Sequence, residues 1–62
     1  MTRKELRNWE IYIENSATDV AAKVGYAVVR AIFHRYDAHD LHDLSPHYYS
    51  EVFAELEQAR ND

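Results

Sequence analysis

Ala21, Val24, Gly25, Val28, Val29, Ile32, Phe33 and Tyr36 fall at i, i+3, i+4, i+7, i+8, i+11, i+12 and i+15. That recurrence is one broad apolar face of an α-helix with no polar interruption. Asp19, Lys23, Arg30 and His34 take the other side. Ser16 followed by Asp19 resembles a capping box, so the helix is expected to run over about 17–36. Gly25 would then sit inside it, at a cost of about 1 kcal/mol relative to alanine. Its place on the apolar face suggests the close approach of a neighbouring backbone beneath Trp9 or a tyrosine ring.

A further helix is announced by Asp43-Leu44-Ser45-Pro46. Serine is a favoured N-cap, and a proline at the first helical position has no donor to lose. Tyr48, Tyr49, Val52, Phe53 and Leu56 then repeat at helical spacing, with Glu51, Glu55 and Gln58 toward water, predicting a helix over about 46–60. Leu44 before the cap is placed to pack on Tyr49 as a hydrophobic staple. The first sixteen residues carry two patterns. Leu6, Trp9, Tyr12 and Ile13 share a helical face that Thr2 can cap, yet Trp9, Ile11 and Ile13 also alternate with charged or polar neighbours as a strand would. A strand needs a partner, and no other segment reads as one, which favours a helix over about 3–14.

The expected fold is therefore all-α: one domain, residues 1–62, with three helices packed around a long central one. Leu6, Trp9, Ile13, Val24, Val28, Ile32, Phe33, Leu44, Val52, Phe53 and Leu56 form the expected core. At 62 residues without cysteine, neither disulfide nor thiolate metal site can supplement it, and such cores rarely supply more than about 3–5 kcal/mol. Self-association as a homodimer is the remaining way to bury more surface. No uncharged run, Val24 to Val29 included, approaches the roughly 20 residues a membrane-spanning helix needs. With no apolar run behind Met1, the reading is a cytoplasmic protein without a signal peptide.

Charge is unevenly distributed. Residues 37–62 hold Asp37, Asp40, Asp43, Glu51, Glu55, Glu57 and Asp62 against Arg60, a net −6, whereas the chain as a whole carries −4. Such a chain is a poor nucleic-acid binder and suits a basic protein surface. Glu51, Glu55 and Gln58 on one helix face, extended by Asp40 and Asp43 in the preceding loop, are the expected partner-binding residues. Tyr12, Tyr26, Tyr36, Tyr48 and Tyr49 exceed what so small a core can hide, and tyrosine favours interfaces.

Catalysis and cofactors find little support. His34, His39, His42 and His47 are interleaved with Asp37, Asp40 and Asp43, a chemically suitable ligand set, but their spacing matches no structural zinc pattern. No metal or cofactor is expected. His42, Asp43 and Ser45 are sequence neighbours rather than a fold-built triad, and Ser45 is explained as a cap. The expectation is a non-enzymatic protein-binding accessory module.

The stretch Phe33 to Asp62, with His-Arg-Tyr-Asp-Ala, Asp-Leu-Ser-Pro-His-Tyr-Tyr-Ser and Glu-Val-Phe-Ala-Glu-Leu, resembles short helical proteins encoded on conjugative elements of Gram-positive bacteria. That resemblance covers about half the chain, implies an accessory protein of a mobile genetic element, and brings no site residue with it. The order of elements also resembles ribbon-helix-helix regulators, which bind DNA as dimers. On that alternative Trp9 to Glu14 is the ribbon, followed by helices over about 17–36 and 46–60. Its outward positions would be Glu10, Tyr12 and Glu14, whose charges repel phosphate.

Overall fold

The computed structural model describes residues 1–62 as three α-helices: α1 (Arg3–Val24), α2 (Tyr26–His34) and α3 (Tyr49–Asn61). Two short 3-10 turns, Leu41–Asp43 and Pro46–Tyr48, link α2 to α3. The all-helical reading stands, but the helix boundaries differ from those expected. Residues 3–14 and 17–24 belong to one unbroken helix, and the long element is the first. Trp9 to Glu14 are helical within it, so the ribbon that the DNA-binding layout requires is not formed.

Helix α1 starts on a full capping box. Thr2 Oγ1 accepts from the Glu5 amide at 3.1 Å, and Glu5 Oε1 accepts from the Thr2 amide at 3.1 Å. The Thr2 amide first, and the Thr2 hydroxyl second, favour the ionised form and lower the Glu5 carboxyl below its ordinary range. The chain then passes Ser16 without a break, because Ser16 is a buried core-facing residue rather than a cap. Its hydroxyl donates to Glu57 Oε2 at 2.7 Å and joins α1 to α3.

The break comes at Gly25. Its backbone stands at φ 101 and ψ 154, a region essentially restricted to glycine. One residue thus ends α1 and starts α2. The expected close approach is not there: a Cβ at Gly25 would meet nothing within 4 Å. Glycine is required for its backbone angle. Because the apolar stripe bends here, Val24 and Val28, expected in the core, are 49% and 36% exposed at the corner.

Helix α2 ends in a Schellman motif, with the Ala38 amide donating to Phe33 O and the Asp37 amide to His34 O, both at 3.2 Å. Asp37 occupies the left-handed position at φ 59. This closure turns Ala38 into the interior beside Phe33. Pro46 then opens the turn into α3, with Ser45 Oγ accepting from the His47 amide. Ile13 and Val20 of α1, Val29, Ile32 and Phe33 of α2, Ala38, Leu44, and Tyr49, Val52 and Leu56 of α3 form the core. Trp9, Tyr12 and Phe53 cover the α1/α3 seam, Trp9 and Phe53 meeting edge to face at 5.8 Å. No helix is long and apolar enough to cross a membrane.

Candidate functional site

Helix α2 is flanked by two hollows. On its α3 side, Val28, Ile32, Arg35, Glu55, Gln58, Ala59 and Asp62 surround about 260 Å³. On its α1 side, a hollow of about 350 Å³ has Ile13, Ala17, Val29, Phe33 and Leu41 as its floor, with Glu14, Tyr26 and Asp40 among its walls. The two separate the residues expected to act together: Glu55 and Gln58 border one hollow, Asp40 the other.

Local bonding divides them further. Asp40 Oδ1 accepts from the His42 amide at 2.8 Å, and Asp43 Oδ1 accepts from the Asp40 and His39 amides, each at 3.0 Å. Asp43 Oδ2 also meets His39 Nδ1 at 3.0 Å. The amide of Asp40 first, then the His39 ring and amide, hold the Asp43 carboxyl down at about 2. These two aspartates therefore shape the turn, and Asp43 in particular is committed to it. Glu55 is also engaged, accepting from the Arg35 guanidinium and from the Tyr36 hydroxyl. The bond to Glu55 is the first cause that pushes the Tyr36 phenol up to about 12.

Glu55 nonetheless belongs to a stripe whose other members stay exposed. Glu51, Glu55, Gln58 and Asp62 recur at intervals of four, three and four, the spacing of one helix face. Glu51 and Asp62 have no ion-pair partner. The last three border the α2/α3 hollow, where Val28 shows apolar surface. Val28 and Asp62 were not among the expected site residues. A stripe that runs straight through Gly25 buries Val28, and Asp62 enters the sequence pattern only through the charge of the C-terminal half.

The histidines are drawn into the turns. His34 and His39 meet edge to face at 6.0 Å around a hollow that Asp37 and Ala38 complete. No group of three or more His, Asp or Glu side chains is arranged to hold a metal ion. Ser45 is tied to its own turn as a cap. Among the tyrosines, Tyr49 is buried, and burial first, with Glu10 second, pushes its phenol up. Tyr36 and Tyr48 are half-buried against each other at 5.2 Å, while Tyr12 and Tyr26 are exposed, the latter beneath the Arg30 guanidinium at 5.3 Å.

No protein-family model, curated protein or solved structure matches the chain.

Proposed function

We propose that this chain is a non-enzymatic protein-binding module whose site is the α2/α3 hollow and the acidic stripe beside it. The observation that carries the reading is the position of Val28: an apolar side chain open to solvent in a hollow that Glu55, Gln58 and Asp62 border. A basic segment of a partner protein would place an apolar side chain on Val28 and Ile32 and its cations against Glu51 and Asp62. Glu55, already neutralised by Arg35, would keep the hollow in shape rather than recruit charge. Uncompensated carboxylates at the rim of an apolar contact chiefly raise the association rate, an advantage that salt removes.

The non-enzymatic part of the reading rests on the same geometry. The α2/α3 hollow is wide open, and its polar groups are a surface ion pair, an amide and a carboxylate. Catalytic pairs draw their pKa separation from enclosure. The test is affinity capture from host extract with the wild-type chain, with Glu51→Lys/Asp62→Lys and with Val28→Asp. The reading requires a partner with a basic surface that is lost in both variants and at high salt. Identical partners for all three proteins would refute it.

A further inference from the structure

Arg3, Arg7, Glu10 and Glu14 also recur at intervals of four, three and four. They form one stripe on α1, a helix of 22 residues that runs about 33 Å at 1.5 Å per residue and so matches the 32 Å long axis of the molecule. All four side chains are exposed. None of them takes part in an ion pair, and none makes a side-chain hydrogen bond. Within α1 like charges stand four residues apart at each end of the stripe, Arg3 with Arg7 and Glu10 with Glu14, and only the central Arg7 and Glu10, three apart, are of opposite sign. Ile11, 43% exposed, lies four residues after Arg7 and three before Glu14, on the same side of the helix.

We infer that this face of α1 binds a second copy of the chain, helix against helix in antiparallel orientation. The order of the charges carries the inference. The midpoint between residues 3 and 14 coincides with the midpoint between 7 and 10, between Asn8 and Trp9. A two-fold axis through that point sets Arg3 opposite Glu14 of the second copy and Arg7 opposite Glu10, and repeats both pairs by symmetry. Four ion pairs form from side chains that have none in the single chain. The same axis sets each Ile11 against the aliphatic stem of the other copy's Arg7, which gives the contact an apolar centre. Parallel packing would bring Arg3 to Arg3 and Glu14 to Glu14, so the pattern selects the antiparallel arrangement. An isologous patch of this kind closes as a dimer and does not propagate. The face lies on α1, whereas the proposed partner site lies between α2 and α3, so the two can be tested independently.

The experiment is sedimentation of the full chain over a concentration series, at about 50 mM and about 500 mM salt. Wild type should dimerise at low salt, with the dimer weakened at high salt. Arg3→Glu/Arg7→Glu makes the stripe wholly acidic, and Glu10→Arg/Glu14→Arg makes it wholly basic. Each alone should sediment as a monomer with unchanged helical circular dichroism, and an equimolar mixture should restore the dimer as a heterodimer. Combining all four changes in one chain reverses the charge order and should restore self-association, which also shows that the substitutions leave the helix intact. Wild type that stays monomeric, a double variant that dimerises like wild type, or a mixture that stays monomeric would each overturn the inference.

Discussion

Replacing Gly25 by alanine isolates the backbone term at the corner on which the fold turns. A side chain there meets nothing within 4 Å, so the substitution introduces no clash and removes no contact. What it changes is the cost of holding φ 101 and ψ 154, about 1–3 kcal/mol for a non-glycine residue. Alanine also favours a helical conformation at this position by about 1 kcal/mol, which pulls toward a straight α1–α2 helix. A single-core domain of this size has only about 3–5 kcal/mol in total. Gly25→Ala should therefore remove roughly half of the stability. With a urea dependence near 1 kcal/mol per molar, the unfolding midpoint should fall by about 1–3 M. Urea titration followed by Trp9 fluorescence and by far-ultraviolet circular dichroism measures it. An unchanged or higher midpoint, with the protein still monomeric to the same extent as wild type, would refute the claim that the Gly25 backbone angle shapes the fold.

Four further outcomes follow from the same structure. Leu56→Ala removes a fully buried side chain at the centre of the three-helix contact and should cost about 2–5 kcal/mol, enough to leave the chain largely unfolded by circular dichroism. Asp37→Gly should stabilise by roughly 0.5–1 kcal/mol in urea titration, because Asp37 holds the left-handed cap at φ 59 and its side chain makes no hydrogen bond. At alkaline pH, the Tyr36 phenol is raised from 10.0 to about 12, so its contribution is complete below pH 10 and is lost as pH rises through the folded value. Tyr36→Phe should accordingly flatten the fall of melting temperature over that interval, and coincident curves would contradict the Tyr36–Glu55 bond. At acid pH the sign reverses: the Asp43 carboxyl is lowered from 3.8 to about 2, so its contribution is complete above the unfolded value and is lost as pH falls toward 2, a loss that Asp43→Asn should abolish.

Helix content and most of the core were legible in the residues. The buried side chains Ile13, Ile32, Phe33, Leu44, Val52 and Leu56 are where periodicity places them, while Ser45 and Pro46 cap and open a 3-10 turn, so that α3 itself starts three residues later than expected, at Tyr49. The first break was not legible, for a physical reason. Ser16 and Asp19 have the spacing of a cap, but the fold turns Ser16 inward to a glutamate 41 residues away, and no local rule reports such a bond. Gly25 sits in a pattern that keeps helical period on both sides, so a corner and a straight helix give the same sequence of apolar positions. Its positive φ belongs to the corner at which α2 folds back onto α1. Val24 and Val28 follow from the same ambiguity: a straight helix would bury them, and the corner exposes them.

The candidate site was legible in part, for the same reason. Glu51, Glu55 and Gln58 share one face of α3, as their spacing requires, and Asp62 extends it. Asp40 and Asp43 extend that face only in a loop without hydrogen bonds of its own. Once the Asp40–Asp43 capping box is formed, their oxygens satisfy the turn's own amides, and the acidic surface contracts to α3. The unpaired Val28 could be found only after the corner at Gly25 was known.

The claim that the α2/α3 hollow is where this chain meets its partner can be tested most directly by photo-cross-linking in host extract. Val28 is replaced by benzoyl-phenylalanine in one protein, and Ala22, exposed on α1, in another. The account predicts a discrete cross-linked partner from position 28, absent when Glu51→Lys/Asp62→Lys is added and absent from position 22. The same product from both positions, or a product from position 22 alone, would contradict it.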